Sequence, residues 1–346
     1  MLFPLRAAAQ ILAVQTLAFL LLGPALLAQA PLAAPPPGLL LATNQYANTL
    51  SIIDPVMGKE IAVLPEEHIT GHELATSPDG RTVFIPIYGN TGVGKPGTDG
   101  HEILAVDIAS RHIAHVIDLG HGVRPHKPIY NPADGLLYVS AELDNAIDII
   151  DPKSFKLVGS IPTGEPQSHM FVLSPDGHRA YTANVSTGTV SVLDLKARKL
   201  VTVIAVARQV QRIAISNDGA LVFTSAVDKP ELDVIDTRTN TVQTRIPLLS
   251  NGYGAAATAD GHSLLLALPS IDQVAVIDLR TLKVARTIPT PPGPQAILLR
   301  PDGHAAFVSC VRSKTIVTIN TDTFQVAQTI AAGNGVDGLA WANAAR

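Results

Sequence analysis

From Gln167 to Val206 the chain reads QSHMFVLSPDGHRAYTANVSTGTVSVLDLKARKLVTVIAV, and this one stretch predicts the fold. His169–Ser174 is a first strand, Pro175-Asp176-Gly177 a turn, and Arg179–Val185 a second strand. Thr189–Leu195 is a third strand, Lys196–Lys199 a turn, and Leu200–Val206 a fourth. Val, Ile, Leu, Tyr and Thr fill the strands, while Pro, Asp, Gly and Asn punctuate them. The Asp-Gly pair supplies the positive φ that a tight strand connection requires.

The unit recurs along the chain. A third strand ends in Asp or Asn at Asp54, Asp107, Asp151, Asp194, Asp236, Asp278 and Asn320, and from Asp107 onward the spacings are 44, 43, 42, 42 and 42. The Asp-Gly turn returns at Asp79, Asp134, Asp176, Asp218, Asp260 and Asp302. A period of 40 to 45 residues with four short strands per unit predicts a β-propeller, one blade per repeat. Residues 39–65 hold only three strands. The missing one is at the other end, where residues 335–341 match residues 293–299. The expectation is an all-β, seven-bladed propeller with four-stranded antiparallel blades. The C-terminal strand closes the ring in a one-plus-three clasp and removes an exposed sheet edge.

The domain plan is a leader at 1–30, a Pro-rich linker at 31–38 and one propeller at 39–346. Arg6 is the only charge in residues 1–30, Ile11 to Leu27 is almost wholly apolar, and Ala28-Gln29-Ala30 is an A-x-A site. This reads as a secretory signal peptide and a periplasmic or secreted protein. An uncleaved N-terminal anchor is the alternative, and only then is a membrane a partner. Net charge −4 without a Lys/Arg run excludes nucleic acid as a partner class. Cys310 is the sole cysteine, so no intramolecular disulfide exists and covalent c-type haem is excluded. It aligns with Leu268 and Asn184 in sister repeats, which is a packing position.

These residues resemble the YVTN family of β-propeller repeat proteins. Leu41-Ala42-Thr43-Asn44 and Tyr181-Thr182-Ala183-Asn184 are similar to its naming motif. Ser174-Pro175-Asp176-Gly177 and Val192-Leu193-Asp194 are similar to its recurrent turn and third strand. The resemblance covers nearly all of 39–342 and implies the propeller fold and export. Propellers of this kind include surface-layer proteins, lactonases and electron-transfer subunits, so it implies no single activity.

A propeller sets the start of each innermost strand around one end of its central channel. Round the ring that slot reads Asp337, His72, His126, His169, Gln211, Tyr253 and Gln295. Neutral imidazoles with a carboxylate on consecutive blades make His72, His126, His169 and Asp337 a candidate site for one divalent transition metal. Gln211, Tyr253 and Gln295 are candidate ligand-binding residues at the same mouth. Glu73, Glu142 and His101 are candidate catalytic or supporting groups. A wet channel lined by polar side chains explains the same residues. His178, His262 and His304 share a different slot after the Asp-Gly turn, so repeat copying alone can place three histidines alike.

Residues 89–102 form a long connection in the second blade with five glycines, expected at the His72 end. Gly89 to Lys95 imitates a phosphate loop, but Pro96 stands where Ser or Thr is needed. His121, Arg124 and Lys127 lie near the mouth as a possible anion site or a solvated rim. Three functions follow. One is an exported propeller that binds a small molecule, metal or protein partner at the channel mouth. Another is a metal-dependent or lactonase-like hydrolase, since the segments around His126 and His169 distantly resemble lactonase strand starts. The third is a redox partner, as in propellers that hold a noncovalent d1-type haem, with a ring histidine as axial ligand.

Overall fold

The computed structural model describes residues 32–66, 71–207, 209–226 and 228–344. The leader expected at 1–30 lies outside them. Among the described residues there is no helix; the chain forms seven four-stranded antiparallel sheets, which are the seven blades of a β-propeller. Blade 1 combines Gly38–Asn44, Thr49–Asp54 and Lys59–Pro65 with Val336–Asn343 as its innermost strand. Leu41 pairs with Ala340 and Leu40 with Trp341, so the clasp forms as the repeat predicts.

The repeat markers have clear physical roles. Each third-strand Asp or Asn accepts backbone N–H bonds from the turn that follows, as Asp54 does from Val56 and Met57 and Asn320 from Asp322 and Thr323. Four residues later the backbone turns left-handed, at Gly58, Arg111, Phe155, Arg198, Asn240, Leu282 and Phe324. A bulge follows at the same place in the fourth-strand pairing of every blade, for example between Val192 and Leu193. Bulges sharpen local twist, and a repeated one gives all blades a common twist. The Asp-Gly turns place Gly80, Gly177, Gly219, Gly261 and Gly303 at φ of 69° to 78°. Their aspartates accept from Ser77, Ser174, Ser216 and Thr258.

Blades pack face to face through alternate strand residues. Leu41, Leu50 and Ile52 of blade 1 meet Val83, Ile85 and Leu104 of blade 2 in one buried cluster. Cys310 ends a blade 7 strand, is fully buried, and burial pushes its thiol up to about 12, so it packs as an inert small hydrophobe. The innermost strands differ in length. Blade 2 has only Ala75–Thr76 and blade 6 only Ala255–Ala257. His72 and Tyr253 therefore lie in the approach to a strand rather than at its start. The His72 carbonyl is instead held by blade 1, accepting from Thr43 Oγ1 and Gly338 N at 2.9 Å each.

Candidate functional site

Three ring histidines converge where the innermost strands begin. The rings of His126 and His169 lie 3.7 Å apart between centroids, and those of His72 and His126 lie 5.5 Å apart. Pro125–Asn131 positions His126 and Ser168–Leu173 positions His169, while Gly71 bridges to Ile87 just before His72. Asp337 sits beside His72, its Oδ2 3.7 Å from Nδ1. Gln211 Nε2 lies 3.4 Å from His169 Nε2. The Tyr253 hydroxyl faces a different partner, Arg212. Gln295 is half-buried with Oε1 unpartnered.

Tyr88 completes the cluster. Its ring stands edge-on to His126 at 5.2 Å and to His169 at 5.8 Å. Its hydroxyl donates to Glu142 Oε2 at 2.8 Å, the same oxygen that contacts His169 Nδ1 at 2.7 Å. A carboxylate on Nδ1 fixes that nitrogen as the N–H and leaves Nε2 as acceptor toward Gln211. Glu142 thereby fixes the orientation of the His169 ring.

One layer deeper lies an ion-pair network. Glu73 accepts from Arg212 Nη1 at 2.6 Å and from Lys127 Nζ at 2.9 Å. Arg212 Nη2 also donates to the Tyr253 hydroxyl at 2.7 Å and stands 4.0 Å from Asp337 Oδ1. Burial opposes ionisation of Glu73, but Lys127 and Arg212 outweigh it and hold the carboxyl down to about 2. Burial pushes Asp337 up to about 7, opposed by Arg212 and reinforced by the charge on Glu73. The two carboxyl groups, a layer apart, are thus pushed in opposite directions, Glu73 toward the charged form and Asp337 toward the neutral one.

Burial also keeps the imidazoles neutral. It lowers His72 to about 4, helped by His169 and Arg212 against Glu73 and Glu142. It lowers His126 well below its ordinary range, and lowers His169 despite the opposing bond to Glu142. A depressed histidine destabilises the fold as pH falls, because the unfolded chain binds the proton and the folded chain does not. For His72 the window runs from 6.5 down to about 4, a loss on the order of 3 kcal/mol. Asp337 and Glu66, both raised to about 7, slope the opposite way, losing stability as pH rises toward 7. The expected result is therefore a difference: urea midpoints at pH 7 and pH 5 will move less favourably on acidification in wild type than in His72→Gln.

Several expected residues do not join the site. His101 lies near the start of the third strand of blade 2, its half-exposed side chain turned to the exposed Asp118 with Nδ1 2.9 Å from the carboxylate. His121 pairs with Asp144 at the surface and Lys127 with Glu73. Arg124 holds the long blade 2 connection, donating to Asp99, to the Gly92 and Lys95 carbonyls and to Thr91 Oγ1. So His121, Arg124 and Lys127 do not form one anion site. Among the described residues, no three His, Cys, Asp or Glu side chains form a group that could hold a metal ion.

Tyr88, Arg212 and Lys127 carry signals in the repeat. Strand pairing puts Tyr88 and Glu142 in one slot at the end of the second strand, where Val185 and Val311 stand in sister blades; in blade 2 the strand runs on to include Tyr88. The position after the ring slot reads Glu73, Lys127, Met170 and Arg212 on successive blades. The charges at Glu73, Lys127 and Arg212 depart from the small Gly254, Ala296 and Gly338 found in the other blades.

No family model matches the chain, and no curated protein matches it. Among solved structures it is similar to the dihydro-heme d1 dehydrogenase NirN in complex with DHE. Identity is 16% and the TM-score 0.63, over 90% of this chain and 77% of that one. It is also similar to the hydrazine synthase of Kuenenia stuttgartiensis, at 18% identity and TM-score 0.49, over 72% of this chain and 95% of that one. At 16% identity the likeness to NirN is one of fold, the propeller ring.

Proposed function

We propose that this protein is a binding propeller whose small ligand sits at the channel mouth against His126. The observation that carries the reading is His126 itself. It is 1% exposed, and neither ring nitrogen has a hydrogen-bond partner. Burying such groups unpaired costs about 1–3 kcal/mol, a cost that a ligand group seated against the ring removes. His72, with 18% of its side chain exposed, is the wall that meets solvent.

Neutral imidazoles offer lone pairs to a hydrogen-bond donor or to a divalent transition metal. The donor-bearing small molecule is the better fit, because His169 Nδ1 is engaged by Glu142 and, among the described residues, no three His, Cys, Asp or Glu side chains form a group that could hold a metal ion. A redox reading is the second. The neighbour NirN is described as a dihydro-heme d1 dehydrogenase, and His72 is a partly exposed imidazole kept neutral to about pH 4. His72 would be the residue to hold a noncovalent macrocycle, which would supply one-electron chemistry at the mouth.

The test uses the protein purified without chelators or a His-tag. Elemental mass spectrometry and visible absorption are read first, then thermal shifts against divalent metals, tetrapyrroles and small polar molecules. One of these classes is expected to be bound, or to raise the melting temperature, in wild type but not in His126→Ala. The proposal fails if no metal, chromophore or compound distinguishes the two proteins.

A further inference from the structure

Below the histidines the channel changes character. A cavity of about 290 Å³ runs inside the ring, at the small end of ligand pockets. Its wall is mostly aliphatic, formed by Ile129, Val172, Ala214, Ala256 and Ile297 among others with Phe171 beside them, and its charged lining residues are Glu73, Lys127 and Arg212. The cavity is therefore greasy along its length and ionic at the layer beneath the mouth.

That layer holds two cations against one carboxylate that is paired to both. Asp337, the next carboxylate, stands 4.0 Å from Arg212. Hydrogen-bonding capacity is left over. Arg212 is nine-tenths buried, yet its Nε–H has no partner. The Lys127 ammonium has three donors, of which the Glu73 bond takes one. An unmet buried guanidinium N–H beside a half-used ammonium calls for an anionic acceptor. The aliphatic wall calls for a hydrocarbon attached to it.

We infer that the channel binds an aliphatic carboxylate, with its head group on Lys127 and Arg212 and its tail among Ile129, Val172, Ala214 and Ala256. This site is separate from the histidine mouth and does not depend on what binds there. The head group would bridge the free Arg212 Nε–H and a second Lys127 proton, leaving both existing bonds to Glu73 in place.

Isothermal titration with octanoate tests it, with 1-octanol and acetate as partners that keep one half of the ligand each. Octanoate is expected to bind wild type, while octanol and acetate bind at least tenfold more weakly. Lys127→Met is expected to weaken octanoate about tenfold, the loss of one charge-assisted bond. Ala256→Phe, which fills the bore, is expected to abolish binding. His126→Ala is expected to leave octanoate binding unchanged, so a failed mouth ligand and a failed channel ligand are told apart. The inference is overturned if octanoate does not bind at millimolar concentration, if octanol binds equally well, or if Lys127→Met binds like wild type. Should Ala256→Phe lose the native circular dichroism spectrum, Lys127→Met and the octanol comparison decide the matter.

Discussion

Deleting residues 335–346 is expected to abolish the cooperatively folded ring rather than trim it. The lost strand buries Val336, Leu339 and Trp341. At roughly 1.5–3 kcal/mol for each large apolar side chain, that is about 5–9 kcal/mol, against a whole-domain stability of about 5–15 kcal/mol. The deletion also uncovers the edge of Gly38–Asn44, which pairs with that strand along most of its length. A bare edge recruits other chains. Circular dichroism melts with light scattering should show a much lowered or absent transition and aggregation. A truncated protein that melts where wild type does would refute the clasp as the keystone of stability.

Arg212→Leu is expected to cost about 3–5 kcal/mol, the usual penalty for breaking a buried ion pair from one side. Removing the guanidinium leaves Glu73 with Lys127 alone and deprives the Tyr253 hydroxyl of its donor. The damage arises chiefly from an uncompensated carboxylate. The double variant Glu73→Gln with Arg212→Leu should therefore recover about 1 kcal/mol or more relative to the sum of the single changes. Urea unfolding of the four proteins measures this coupling. Strict additivity would mean that the network is not an energetic unit.

The fold was legible because the repeat states the same local rules seven times. Asp-Gly turns, Asx-capped corners and alternating strands each have one physical solution, and the short blade 1 announces its partner by matching residues 335–341 to 293–299. The histidine cluster was legible for the same reason: one slot, read round the ring, brings His72, His126 and His169 together. What escaped reading lies in neighbouring slots. Tyr88 is the last residue but one of a second strand, and Arg212 sits one residue past the ring slot. Their convergence depends on side-chain reach, which strand register alone does not express. His101 erred the other way. Topology puts its loop at the correct end, but Arg124 ties that loop to itself and His101 pairs with Asp118.

Trp341 is the only tryptophan in the chain and belongs to the closing strand, stacked on Phe307 of blade 7 at 6.0 Å. Nature has thus placed a single fluorophore on the last segment of the ring to be synthesised. Its emission reports the moment at which the two ends of the chain meet, some 300 residues apart along the sequence. Closure can be timed in an unlabelled protein, separately from the assembly of the six blades between.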